Sequence, residues 1–259
     1  MRILRHILIF AILIAAAAVL RRSIPPQPQS TNASSPQVQG ESSSKGEYID
    51  LDYQSQIVRV RWFKVEDASK LHLVPNYEEF VTSTDLVEDT ECKYVTSGGF
   101  YDKQNEPLGL VISEGKQIYE YKKNVLMNGV LSVNEVDTPR ISRGMPSGFL
   151  EEAVQSGPLL WENGNQLALN LNSDKNARRV IAAINGDNEL YFFVFYNPNS
   201  SFGGPLLGDL PALVNEINNK LDLNIADAIN LDGGSASVFN NADVTLSELS
   251  PVGSYWCVI

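Results

Sequence analysis

The chain has 259 residues and a formal net charge of −11, from 31 acidic and 20 basic residues. Arg2, Arg5, Arg21 and Arg22 sit in an N-terminal stretch without acids, so the rest is more acidic still, and no Lys/Arg cluster offers the footprint that nucleic acid requires. The only histidines and cysteines are His6, His72, Cys92 and Cys257, which excludes a zinc site built from several such ligands.

Residues 1–22 read as a signal peptide or an N-terminal membrane anchor. Arg2, Arg5 and His6 precede an unbroken apolar run from Ile7 to Leu20, which is shorter than the about 20 residues that a membrane span needs and fits a secretory core. The expected location is periplasmic, extracellular, or anchored to the outer side of the cytoplasmic membrane. Membrane contact is expected only through this segment. Residues 23–46 are rich in Pro, Ser, Gln and Asn and read as a disordered linker. Residues 47–259 then form one domain with ample length for a core.

Within that domain, β-like runs cover 57–65, 70–74, 94–97 and 108–113, then 129–133, 179–184, 190–196 and 255–259. Glu114-Gly115 and Gly186-Asp187 mark hairpin turns. A weak helix is expected over 77–87. A stronger one covers 209–221, with Asp209 as its N-cap and Leu210, Leu213, Val214, Ile217 and Leu221 on one face. The sum is an α+β single domain: a mixed, strand-rich twisted sheet with a few packed helices. Cys92 and Cys257 both lie in β-like segments, compatible with either a disulfide or two buried thiols.

The stretch Asn230-Leu-Asp-Gly-Gly234 closes an apolar strand with polar residues, which packing alone seldom favours. Alternation along a strand points Asn230 and Asp232 the same way, and Gly233 and Gly234 let a ligand approach the main chain. His72, the only histidine of the domain, lies in an apolar strand and makes a poor member of a Ser-His-Asp triad. No Walker loop or G-x-G-x-x-G is present. Carboxylate, amide, hydroxyl and arginine chemistry remains. Besides the Asp232 stretch, it is carried by Ser97-Gly-Gly-Phe-Tyr-Asp102, by Gln155-Ser-Gly-Pro-Leu-Leu160 and by Arg179 at the head of an apolar strand.

In this order, the four segments resemble the phosphodiester glycosidase family, in particular its bacterial exported branch. The resemblance spans essentially 48–259. Two positions depart from the family pattern: Ser97 stands where Asn is usual, and Val180 follows Arg179 where a hydroxyl residue is common.

The resemblance implies an α-N-acetylglucosaminidase-like hydrolase. It would cleave a sugar-1-phosphodiester, or a related glycosidic bond, in an exported glycan or glycoconjugate, with a carbohydrate or sugar phosphate as its partner. It implies Asp232 as the principal carboxylate and Asp102 as the second. Arg179 would hold phosphate and main-chain N–H groups at Gly98, Gly99, Gly233 and Gly234 would receive oxygens. Asn230, Ser156 with Gly157, and Ser235 would orient the sugar or the acids. The alternative is a non-catalytic envelope module that binds glycans in the same cleft. No cofactor is expected, although Asp102, Asn105 and Glu106, or Asn230 and Asp232, offer oxygen ligands of the kind Ca²⁺ takes.

Overall fold

The computed structural model describes residues 47–259; the expected leader and linker lie outside the described residues. The fold is the expected strand-rich α+β domain. Among the described residues its strands are distributed over three sheets, and each pairing within them is antiparallel. Across the seven-stranded sheet the order is Ile49–Tyr53, Gln56–Val65, Leu190–Tyr196, Arg179–Asn185, Ile225–Asn230, Leu159–Glu162 and Asn165–Gln166. A five-stranded sheet runs Thr245–Leu246, Phe239–Asn240, Tyr94–Ser97, Ser254–Val258 and Leu71–Pro75. Another runs Lys116–Tyr119, Val111–Ser113, Leu150–Ser156, Gly129–Asn134 and Pro139–Arg143.

The central strand Arg179–Asn185 shows why a continuous apolar run appears there. Val180, Ala182 and Ile184 join one core with Phe63, Phe192 and Ile229. Leu73, Phe239 and Trp256 from the second sheet, and Leu131 and Val154 from the third, pack into that same core. Ile181 and Ala183 face the opposite way, onto the helix Leu210–Leu221. A strand buried on both faces has no position to spare for polar residues.

Among the described residues, two α-helices are formed, α1 over Ser83–Asp89 and α2 over Leu210–Leu221. Leu213, Val214 and Ile217 of α2 are buried against the seven-stranded sheet, each contributing about 1.5–3 kcal/mol relative to exposure. Asp209 occupies the N-cap position but makes no capping bond. Its carboxylate instead accepts from the Tyr53 hydroxyl at 2.6 Å. The expected helix over 77–87 begins later, at Ser83. Asn76 folds the chain back first, accepting from Val81 N–H at 2.8 Å and donating to its carbonyl at 2.9 Å. Thr82 then caps α1 through Asp85 N–H. Among the described residues, no helix is long and apolar enough to cross a membrane.

Cys92 and Cys257 form a disulfide with Cα atoms 5.4 Å apart. It lies in a small core with Leu86, Val95, Val238, Val252 and Tyr255. Since it closes a loop of 165 residues in sequence, the chain-entropy model assigns it about 5 kcal/mol. Replacing both cysteines with Ala should lower stability by about 2–5 kcal/mol, read as a lower urea midpoint. An unchanged midpoint would show that the crosslink contributes nothing.

Candidate active site

Asp232 lies just past the strand Ile225–Asn230, whose partner is Arg179–Asn185. The ladder continues beyond the strand end, with Leu231 N–H donating to Val180 O at 2.9 Å and Gly234 N–H to Arg178 O at 2.8 Å. Asp232 itself turns to the second sheet. Its N–H donates to Gly98 O at 3.0 Å, and its carbonyl accepts from the Ser97 hydroxyl at 2.7 Å. Asp232 is therefore held by main-chain contacts, which leaves its side chain available. Asp232 is 7% exposed, and its Oδ1 accepts from the adjacent Gly233 N–H at 2.9 Å. Burial pushes its pKa up to about 8, which the Gly233 contact only partly offsets.

On the Gly98 side the wall is built by Ser254 and Tyr77. Ser254 is fully buried, and its carbonyl accepts from Gly98 N–H at 2.8 Å while its hydroxyl accepts from Gly99 N–H at 3.1 Å. A Cβ at Gly98 would sit 2.4 Å from the Ser254 hydroxyl oxygen, so close approach requires glycine there. The Tyr77 hydroxyl donates to Ser254 Oγ at 3.3 Å. Burial first, and the Asp232 charge among the other causes, raise the pKa of Tyr77 to about 12 and also raise that of Tyr101. Both phenols are therefore neutral donors beside Asp232. Tyr77 and Ser254 did not stand out in the sequence, because nothing in their spacing marks them; Tyr101 lies within the Ser97–Asp102 stretch but was assigned no role.

Ser156 and Gly157 join from the opposite side. The Ser156 hydroxyl and Gly157 N–H both donate to Asn230 O, at 2.8 and 3.0 Å, and the Asn230 amide donates to Gly157 O at 3.0 Å. The Gly157–Pro158 peptide is cis. Asn230 Oδ1 is buried without a partner. Ser235 lies on the exposed turn after Gly234, where its carbonyl accepts from Leu249 and Ser250 N–H groups.

The remaining expected groups are placed differently from a simple ligand cradle. The N–H groups of Gly98, Gly99, Gly233 and Gly234 are all bonded within the protein, so these glycines contribute space and turn geometry. Arg179 passes within 3.8 Å of where a Cβ at Gly233 would lie. Its guanidinium bonds Asp174 at 3.1 Å, Pro205 O at 3.2 Å, and Lys175 O. Arg178, fully buried, anchors the following loop through Ser237 and Ser247 O and stacks on Phe202. Burial lowers its pKa to about 10. Asp102 makes its hydrogen bonds within its own loop, accepting from Gln104 and Glu106 N–H groups at 2.8 and 3.0 Å. No group of three or more His, Cys, Asp or Glu side chains gathers to hold a metal ion among the described residues.

A family profile described as phosphodiester glycosidase matches residues 90–259. No curated protein sequence matches the chain. Among solved structures, similarity is found to the zebrafish N-acetylglucosamine-1-phosphodiester alpha-N-acetylglucosaminidase catalytic domain auto-inhibited by its pro-peptide. The identity is 15%, the TM-score is 0.64, and the match covers 82% of this chain and 81% of that one. A hypothetical protein from Synechocystis matches at 15% identity and a TM-score of 0.53, over 82% of this chain and 61% of its own. The profile match takes in the Gly98-Gly99 turn, the Ser156 segment, Arg179 and the Asp232 strand end, and on that match the chain belongs to the phosphodiester glycosidase family.

Proposed function

We propose that the domain hydrolyses the bond between a sugar anomeric carbon and a phosphate oxygen in an exported glycan or glycoconjugate. The observation that carries this reading is the Asp232 carboxyl group, buried where its strand end meets the Gly98 turn, with its pKa raised to about 8. Near neutral pH it is protonated, so it can face an anionic phosphate without charge repulsion. As the anomeric C–O bond breaks, the Asp232 proton passes to the departing phosphate oxygen; water adds its oxygen to the anomeric carbon, and the proton it releases restores the acid form of Asp232. The products are a free sugar and a phosphomonoester. Phosphate is a good leaving group, so this proton transfer need only be modest. The transition state has oxocarbenium character, and Asp102 acts as the second carboxylate once its loop contacts are exchanged. Arg179 takes the phosphate by giving up Asp174, a substitution of one oxyanion for another on the same guanidinium fork. Asn230, Ser156 and Ser235 orient the sugar and the acid.

Incubating the full chain with sugar-1-phosphodiesters and with plain glycosides, followed by NMR, should show free sugar from the phosphodiesters. Saturable binding without product would instead mark a glycan-binding module. Asp232→Asn should abolish turnover while the fold is kept, and normal activity in that variant would remove Asp232 from the chemistry.

The pH dependence has a definite sign. A group that donates its proton is lost on ionisation, so kcat/KM should fall as pH rises through about 8; a rate that rises through that pH would make Asp232 a base or nucleophile instead. The folded state keeps a proton that the unfolded carboxyl releases near its ordinary 3.8. Wild-type stability should therefore decline from that pH upward and level off above about 8. Asp232→Asn should lack this slope in denaturation measured across the range. Arg179→Lys should raise KM for phosphodiesters severalfold, roughly the tenfold per 1.4 kcal/mol expected for loss of a charge-assisted contact. Unchanged kinetics would release Arg179 from the phosphate role.

A further inference from the structure

Away from Asp232, the polar group least explained by the fold is Glu152. It lies in the central strand Leu150–Ser156 of its sheet, opposite Val133, and is 1% exposed. Neither carboxylate oxygen meets full hydrogen-bond geometry with a partner; the Leu73 and Glu114 N–H groups approach it without completing a bond. Burial pushes its pKa up to about 7; the N–H groups of Leu73 and Glu114 draw it back in part, and Glu151 and Glu114 add to the rise. His72 Nδ1 lies 3.5 Å from Glu152 Oε1 but is not aligned for a hydrogen bond. A buried carboxylate without completed hydrogen bonds is costly, and native structures rarely retain one without a reason.

Glu152 and His72 line a cavity of about 510 Å³, within the range of small-molecule sites. Its other charged lining comes from each element around it. Glu114 comes from the turn after Val111–Ser113, Glu135 and Asp137 from the turn after Gly129–Asn134, and Glu151 from the strand of Glu152 itself. No lysine or arginine lines it. The geometry does not suit a directly coordinated metal. An ammonium carries positive charge with three donors and no acceptor, which answers both the acidic rim and the two incompletely bonded oxygens. An alkyl chain behind it would meet Leu71 and Val133, the apolar part of the lining.

We propose that this cavity binds an organic cation bearing a primary ammonium, with Glu152 as its anchoring carboxylate and the acidic rim as its electrostatic guide. On entering, the ammonium displaces the loosely aligned His72 ring, whose side chain is 38% exposed and free to swing outward.

The test is calorimetric titration of the full chain with 1,4-diaminobutane and spermidine at pH 8, with CaCl₂ as control. Saturable one-to-one binding is expected, weakened at least roughly tenfold in Glu152→Gln, as the loss of a charge-assisted hydrogen bond implies. Binding should also weaken as pH falls below about 7, where Glu152 takes up a proton. Glu152→Gln sheds a buried charge, so it should melt at or above the wild-type temperature at pH 8, which separates lost binding from lost folding. The proposal is overturned by the absence of saturable binding, by equal binding in Glu152→Gln, or by CaCl₂ binding as tightly as the amines. A Glu152→Gln protein that melts below wild type would show that the carboxylate already has a partner, and would overturn it as well.

Discussion

The site depends on one pair of main-chain exchanges. Asp232 donates its N–H to Gly98 O and accepts the Ser97 hydroxyl on its own carbonyl. Through these bonds the end of a strand in the seven-stranded sheet is fastened to the end of a strand in the second sheet. Sheet ends normally fray toward solvent, because their last polar groups lack partners. Here each end satisfies the other, and the carboxyl group is carried into the junction without being consumed by it. The glycine turn, Ser254 and Tyr77 are then needed to close the space around that group, and Arg178 to hold the loop behind it.

Asp232 and Arg178 show how this arrangement sets stability against function. A raised carboxyl pKa means that the fold disfavours the ionised form, a cost that packing elsewhere has to offset. Arg178 carries the opposite charge in an equally buried place, held by Ser237, Ser247 O and the face of Phe202, with its Nη1 left without a partner. The neighbouring Arg179 is bonded to Asp174, Pro205 O and Lys175 O.

Much of this was legible in the sequence. The strands at 179–185 and 190–196 declared themselves through apolar runs, and Asn230-Leu-Asp-Gly-Gly234 through polar residues at the end of one. The strands Leu150–Ser156 and Leu159–Glu162 did not. Glu151, Glu152 and Gln155 break the apolar pattern there, and Gly157-Pro158 reads as a turn. Gln155 is nevertheless buried, its amide bonded to Lys122 O, Met127 O and the N–H groups of Leu110 and Lys122. A buried side chain whose partners come from distant main chain leaves no periodic trace. The same limit applies to donors. The family resemblance implies Arg179 and four glycines as hydrogen-bond donors to a ligand, but only the folded chain shows that each is already engaged.

Ser254, which clamps the glycine turn, belongs to the strand Ser254–Val258. That strand lies between Tyr94–Ser97 and Leu71–Pro75, in a sheet whose other members come earlier in the chain. During synthesis the two earlier strands emerge with an open slot between them, filled only when residues 254–258 arrive. The junction around Asp232 is therefore among the last parts of the domain to assemble, because its clamp at Ser254 is made last.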